Sequence, residues 1–465
     1  MTSIDTLPDD VLLELFKLYL YYDEYDDMDG FKREKAWRAL VHVCRRWRCV
    51  VFGSPRHLDL RLVCMTRRPV RDMLDVWPAL PLKIVDDDLP IGSVDNIIAA
   101  LDCTDRVREI FVDDSYWSSS DLEIFLASMQ RPFPELTYLW LSSAKTVAVV
   151  PDSLLGGSAP RLEGLELEGI PYPGLPKLLL STTHLVNLRL DHIPHSGYFS
   201  PDAMVTTLST LTSLESLWLK FHSPRSCPDW ASRPPPPSTR SVLPVLTSLW
   251  FWGASEYWED FVAQIDAPQL DHLQMAFFND IVFDTPQSIQ FISRTPISRA
   301  LENARIYFQD SSASVNFLSQ TSVLEVDILC RGLDWQVFSL EQFCTSCLPP
   351  LSMLKDLYIQ EILYWSLDWE DSIENSQWLE LLHPFIEAKN LYLSEKVASH
   401  IVPALQELLE GRTTEVLPTL QNIFLRGLQS SGPVQEGIVQ FAAARQVVRR
   451  PIAVSHWTSD QEDKV

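Results

Sequence analysis

The amino-acid sequence predicts an α/β protein in which short parallel strands stack as a solenoid, with helices and loops behind them and a small helical segment in front. Two observations support this prediction. The spacing apolar-x-x-apolar-x-apolar recurs along most of the 465 residues, and repeats of about 20–50 residues are typical of solenoids. Near the N-terminus, apolar residues instead recur at helical spacing. The length favours several domains or one elongated repeat domain over a single compact core.

Each copy of the spacing directs alternate apolar side chains to one side of a short strand and the residues between them to the other. No copy can bury its apolar side alone, so the copies would pair in parallel and fold as a stack. Their separation is uneven, roughly 22 to 34 residues, and matches the range of leucine-rich repeats loosely. The clearest copies begin at Leu136, Leu162, Leu185, Leu214, Leu246, Leu270, Leu354 and Leu420, and weaker copies begin at Val107, Leu301, Val323 and Ala388.

The residue between each inward pair would face outward, on the concave face that leucine-rich repeats present. Aromatic and Arg side chains dominate protein–protein hot spots, so this face is the predicted binding surface for a protein substrate. The alternative is that loops or the C-terminal segment cover some of the rings. The predicted substrate-face residues are Trp140, Glu166, Arg189, Trp218, Trp250, Gln274, Arg305, Tyr358, Tyr392 and Phe424, and Asp327 occupies the same position in a further copy.

The helical segment starts near Thr6 and Pro8, which suit a helix cap and a first turn. An apolar stripe follows, and a second amphipathic stretch begins at Ala36. Between them, residues 21–35 are rich in Asp and Glu and are predicted to form a solvated loop that is dispensable for folding.

The stretches LPDDVLLELFKLYL and WRALVHVCRRWRCVVFGSPRHLDL resemble an F-box. That family shows Leu-Pro, a short apolar helix, a Val-Cys-basic-x-Trp helix and a closure with Ser-Pro and Leu. Together with the later DVWPALPL, the pattern is similar to F-box proteins of mushroom-forming fungi. The acidic loop is longer than the usual connection between the first two F-box helices.

The resemblance implies a substrate-recognition subunit of a cullin-type (SCF) ubiquitin ligase, whose F-box binds a Skp1-like adaptor while the repeats hold a protein substrate. A scaffold without ubiquitin transfer and an enzyme of unrecognised fold are the alternatives, and the helical segment could instead only cap the first repeat. The residues that would contact the adaptor or shape its surface are Leu7, Pro8, Val11, Leu12, Leu15, Phe16, Leu40, Val43, Cys44 and Trp47.

Composition and motifs disfavour other functions. A net charge of -24 disfavours binding to nucleic acids and to anionic membranes. The scattered cysteines, with no secretory signal and no spanning apolar run, favour the cytoplasm or nucleus. No P-loop, His-Glu-x-x-His or Gly-x-Ser-x-Gly motif occurs, and Cys344-x-x-Cys347 and Asp86–Asp88 stand alone. We therefore expect no catalytic residue, no metal and no cofactor.

The predicted organisation is an F-box segment over 1–60, an irregular solenoid over 61–428, a C-terminal cap over 429–457 and a polar tail over 458–465. Helices are expected behind the strands at 121–129 and 378–387. A helix at 435–449 and a strand at 452–454 would hide the last open edge. The Pro-rich stretch 223–241 is predicted to be a long loop, or alternatively a Pro-rich ligand.

Overall fold

The computed structural model divides the chain into two compact units, Met1–Phe199 and Ser200–Val465. None of the helices in the part of the chain that the structure describes has the length and apolarity needed to cross a membrane. The described residues are 7–21, 31–86, 94–113, 117–143, 149–223, 239–278, 286–299, 301–346, 351, 354–362, 373–409, 412–426 and 432–457.

The first unit opens with helices and continues as parallel strands with short helices between them. Its helices are α1 (Asp9–Tyr21), α2 (Phe31–Val43), α3 (Arg45–Gly53), α4 (Val70–Val76), α5 (Val94–Leu101), α6 (Ser119–Ser128) and α7 (Leu175–Leu179). Its strands, paired in parallel in chain order, are β1 (Leu62–Met65), β2 (Leu82–Val85), β3 (Val107–Asp113), β4 (Tyr138–Ser142), β5 (Gly164–Glu168) and β6 (Asn187–Ile193).

The second helix starts earlier than predicted, at Phe31 instead of Ala36, so the predicted acidic loop is wrong at its C-terminal end. The residues Lys32–Lys35 are good helix formers. Glu34 is buried at 2% exposure, where it pairs with Arg38 and, at 2.7 Å, with Arg68. A buried carboxylate that loses its partners is costly, so this part of the segment is required for packing.

The helical segment also packs on the first repeat. The Trp37 indole of α2 is 1% exposed and donates through Nε1 to the carbonyl oxygen of Arg61, 3.1 Å away. Its ring meets Trp77 edge to face with a centroid distance of 5.1 Å. One side of the segment therefore caps the first repeat, as the alternative interpretation supposed.

The second unit is built in the same way. Its helices are α8 (Pro201–Leu208), α9 (Ser255–Val262), α10 (Pro286–Arg294), α11 (Leu333–Ser346), α12 (Asn375–Leu382), α13 (Glu395–Gln406) and α14 (Pro433–Val447). Its strands are β7 (Ser216–Phe221), β8 (Ser241–Val242), β9 (Ser248–Gly253), β10 (Ile265–Asp266), β11 (His272–Phe278), β12 (Asn303–Phe308), β13 (Ala313–Leu318), β14 (Val323–Leu329), β15 (Asp356–Glu361), β16 (Asn390–Leu393), β17 (Asn422–Leu425) and β18 (Ala453–His456). The main sheet of this unit has the order β7-β9-β11-β14-β13-β12-β15-β16-β17-β18, and β8 pairs with β10.

The predicted fold class, an α/β solenoid of stacked and mostly parallel strands with helices between them, is confirmed. The predicted alternation of inward and outward side chains along the strands is confirmed as well. In β9, Leu249 and Phe251 are buried on either side of the more exposed Trp250. The register places Leu249 between Leu217 of β7 and Leu273 of β11. These aligned leucines form the core between the strands and the helices behind them.

One part of the second unit departs from the predicted parallel stack. β13 pairs antiparallel with both β12 and β14. Tight turns produce this arrangement: the Gln309 amide donates to the Ser312 carbonyl at 2.9 Å, and the Ser319 amide donates to the Ser322 carbonyl at 3.0 Å. Turns this short can join only antiparallel strands, since a parallel pair needs a crossover.

Helices form at both positions predicted to lie behind the strands. α6 covers all but the last residue of the predicted 121–129, whereas α12 ends at Leu382 and covers only the first half of the predicted 378–387. At the C-terminus, α14 and β18 form near the predicted positions, but they do not hide the last edge. β18 pairs in parallel with β17 and is itself the outermost described strand, with all its side chains exposed. The residues Thr6, 22–30, 87–88, 224–238, Cys347 and 458–465, for which the sequence also made predictions, lie outside the described residues.

Candidate functional site

The first helix, α1, is apolar on two sides. Leu12, Phe16 and Leu20 form a buried stripe, and the Phe16 ring lies 4.8 Å from Trp47 of α3, measured between centroids. The other side remains in solvent, and its residues with their exposed fractions are Val11 (40%), Leu15 (43%), Leu18 (68%) and Tyr19 (54%). We call these four residues the α1 stripe.

The structure divides the predicted adaptor residues into two groups. Leu12, Phe16 and Leu40 are buried, so they would shape the surface without touching a partner. The others keep accessible surface: Pro8, Val11, Leu15 and Val43 are exposed, and Leu7, Cys44 and Trp47 are half-buried.

Arg46 was not among the predicted site residues, although it fixes the start of α1 against α3. Its guanidinium donates to the Asp9 carboxylate, with Nε at 2.9 Å, and to the Leu7 carbonyl. The basic run between Cys44 and Trp47 was visible in the sequence, but its partner could not be inferred without the packing of α1.

On the outward side of the first unit, Trp140, Glu166 and Arg189 stand side by side in register. The Tyr138 hydroxyl donates to the Glu166 carboxylate. Burial, followed by that carboxylate, raises the pKa of Tyr138. Arg189 pairs with Asp191 at 2.9 Å.

Further charged groups on this side of the first unit are also paired. Glu109 of β3 contacts Arg61 and, at 3.9 Å, Lys83. The Lys83 ammonium lies 4.7 Å from the centroid of the Phe111 ring, which stacks on Tyr138. The cations and carboxylates of this surface therefore largely neutralise one another.

The outward side of the second unit begins with a tryptophan pair. Trp218 and Trp250 are register neighbours with centroids 4.0 Å apart, and Trp250 is 37% exposed. Two residues further along the same strands, the Lys220 ammonium lies 4.6 Å from the centroid of the Trp252 ring. Trp252 was not among the predicted residues, because the prediction used one outward position per repeat, but strand alternation puts it on the same face.

Next to the tryptophans the surface becomes acidic. Gln274 of β11 neighbours Trp250 on one side and Glu325 of β14 on the other. The Gln274 amide donates to the Asp327 carboxylate at 3.3 Å. Burial raises the pKa of both carboxyl groups, and the charge of Asp327 raises that of Glu325 further.

The remaining predicted residues form a ring stack. Arg305 lies 5.2 Å from the Tyr358 ring centroid, Tyr358 stacks on Tyr392 at 4.1 Å, and Tyr392 stacks on Phe424 at 4.5 Å. Trp457, which directly follows β18, covers both tyrosines edge-on at 5.7 and 5.4 Å.

The position of Trp457 corrects part of the predicted substrate face. Tyr358 is only 4% exposed, and burial raises its pKa. Its ring therefore packs inside the protein, whereas Tyr392 and Phe424 remain half-buried. At Tyr358, therefore, the C-terminal segment covers the ring, as the alternative interpretation supposed.

No arrangement typical of a metal site is found within the described ranges, where no three His, Cys, Asp or Glu side chains come together. Cys344 is buried in α11.

Neither a protein-family model nor a curated protein matches the chain significantly. Among solved structures, the chain is similar to the leucine-rich repeat-containing protein LegL7 from Legionella pneumophila, with 14% sequence identity, a TM-score of 0.27, and coverage of 83% of this chain and 98% of that one. A TM-score this low carries no argument. The repeat architecture rests instead on this chain's own parallel strands and aligned inward leucines.

Proposed function

We propose that the chain is a substrate-recognition subunit of a cullin-type (SCF) ubiquitin ligase. The α1 stripe and its neighbours would bind a Skp1-like adaptor, and the outward strand side of the repeats would hold a protein substrate. In this proposal the chain performs no chemistry, needs no cofactor and acts in the cytoplasm or nucleus. Its net charge of -24 argues against nucleic acid as the substrate.

The observation that carries the proposal is the exposure of the α1 stripe. Leu12, Phe16 and Leu20 already attach α1 to its neighbours, whereas the α1 stripe beside them remains exposed to solvent. Contiguous exposed apolar residues typically mark interaction surfaces. They lie in the segment that resembles an F-box, with Leu7 and Pro8 at the start of the helix and Val43, which is 59% exposed, just before α3.

The outward strand side supports the second half of the proposal. Large aromatic rings with charged neighbours are typical of binding hot spots, and Trp218, Trp250 and Trp252 supply them here. A scaffold that binds the same partners without ubiquitin transfer would use the same surfaces, so the distinction between the two functions must come from the fate of the partner.

Leu15→Asp is expected to abolish co-purification of a Skp1-like adaptor from native cells. The new carboxylate would have to be desolvated in an interface that the α1 stripe forms, and an unpaired buried charge is strongly disfavoured. The melting temperature should stay near that of the wild type, because Leu15 is 43% exposed. Capture is measured by mass spectrometry of the purified complex.

Ile124→Asp is the matched control, since Ile124 is a 52% exposed apolar residue on α6. It should capture the adaptor normally. An intact wild-type chain that captures no adaptor, or a Leu15→Asp chain that captures as much as the wild type, would contradict the proposal. Ubiquitin conjugates on the captured substrate would then distinguish a ligase subunit from a scaffold.

A further inference from the structure

The outward side of β9, β11 and β14 carries two rows of side chains in strict register. Trp250 neighbours Gln274, which neighbours Glu325; in the next row, Trp252 neighbours Ala276, which neighbours Asp327. Adjacent strands lie about 4.8 Å apart, so an aromatic edge and an acidic edge face each other across one strand. We call Trp250, Trp252, Gln274, Glu325 and Asp327 the acid–Trp patch.

Within the described part of the chain, the carboxylates of this patch have only neutral polar partners. Among the residues that the structure describes, no Lys or Arg forms an ion pair with Glu325 or Asp327, and neither pKa is lowered by a neighbouring cation. Their polar contacts are neutral: Asn316 with Glu325 and Gln274 with Asp327. In the first unit, by contrast, Glu109 is shared by Arg61 and Lys83. Burial of a carboxylate without a cation costs free energy, and a cation that a binding partner brings to this pair would reduce that cost.

The aromatic side of the patch is also suited to a cationic group. A cation within about 6 Å of a Trp ring face is attracted by the ring quadrupole. The protein already uses this contact here, because the Lys220 ammonium lies 4.6 Å from the Trp252 centroid. The half-buried Gln274 separates Trp250 from Glu325, so a side chain lying across this residue would meet both the ring and the carboxylate. Ala276, in the neighbouring row, is only 2% exposed.

We propose that the acid–Trp patch binds a protein segment that presents a Lys or Arg side chain beside apolar residues. The stem of that side chain would lie along the tryptophans, and its charged end would reach Glu325 and Asp327. Charge-assisted hydrogen bonds of this kind are stronger than neutral ones. The inference rests on the proposed function, since it specifies the chemistry of the substrate that the repeats would hold.

The experiment uses the full chain and fluorescence anisotropy with two labelled synthetic peptides, one in which Lys alternates with Leu and one in which Glu replaces each Lys. The Lys peptide is expected to bind and the Glu peptide is not. The double variant Glu325→Gln/Asp327→Asn should weaken binding of the Lys peptide by at least about tenfold. Trp250→Ala, which keeps both carboxylates, should weaken it by about threefold or more.

The matched control is Glu215→Gln/Glu380→Gln, which removes the same charge from exposed positions of the same unit that lie outside the patch. It should change the affinity by less than about twofold, because exposed charges at a distance are screened by salt. Equal weakening by both double variants would reduce the effect to the overall negative charge and overturn the inference. Wild-type affinity in the patch variants, comparable binding of the Glu peptide, or no binding of the Lys peptide would overturn it as well.

Leu15→Asp separates this test from that of the proposed function. It lies on α1, outside the patch, so the Lys peptide should bind this variant as it binds the wild type. Loss of adaptor capture with peptide binding retained supports both statements. A wild-type chain that binds the peptide but no adaptor would contradict the ligase role and leave the assignment of the patch intact. Melting temperatures of the variants confirm that each one is folded.

Discussion

Leu249→Ala is expected to lower the free energy of unfolding by about 2–5 kcal/mol, since truncation of a buried Leu loses transfer free energy and leaves a cavity. Leu249 is 0% exposed and lies in register between the equally buried Leu217 and Leu273. The helices behind the strands cannot collapse onto the gap without disturbing the neighbouring repeats. Chemical denaturation followed by circular dichroism measures the effect.

Trp250→Ala is the comparison for that experiment, because Trp250 is the next residue on the same strand and points to the opposite side. It should cost about 0.5–1.5 kcal/mol, which corresponds to the lost ring pair with Trp218. An equal loss of stability in both variants would show that the ring of Trp250 belongs to the core, and the outward face would then lose its main anchor.

Arg445→Ala is expected to lower the free energy of unfolding by about 3 kcal/mol or more, because it leaves several buried carbonyl oxygens without a donor. Arg445 of α14 is 0% exposed. Its guanidinium donates to the carbonyl oxygens of Thr413, Pro418 and Leu420 at 2.9, 3.2 and 3.3 Å. Burial lowers the pKa of the guanidinium. Its hydrogen bonds hold the segment that leads into β17 against α14.

Arg450→Ala is the control, since Arg450 is exposed and its backbone contact to Arg445 survives the change. It should alter stability by no more than about 0.5 kcal/mol. Hydrogen exchange in the segment from Thr413 to Leu420 should rise sharply in the Arg445 variant alone. Similar denaturation midpoints for both variants would show that water can replace the guanidinium.

The inward leucines and the outward tryptophans could be predicted from the sequence because strand alternation is a local property. The antiparallel β13 could not be predicted by the same template, which assumed that every strand is parallel and is followed by a crossover. The signal was present in the alternation of Ala313, Val315 and Phe317, but the turns on either side decide the strand direction.

The side of α1 that is buried could not be predicted from the local sequence either, for a different reason. Val11 and Leu15 are as apolar as Leu12 and Phe16, so periodicity finds a helix but does not decide which stripe is buried. The contacts with Trp47 decide it. Tyr358 is likewise buried by a contact with Trp457, a residue far away in the sequence. The local sequence around either residue does not predict this contact.

The antiparallel hairpins of β12, β13 and β14 also bear on how the second unit forms. Their turns close loops of a few residues, and hairpins of this kind assemble in about 1–10 μs. The parallel pair of β12 and β15, in which Asn303 meets Asp356, must wait for a much longer segment to come back. We expect the three strands to serve as a folding nucleus from which β11 is added on one side and β15 on the other, so that this unit is completed outward from its middle and its two ends form last.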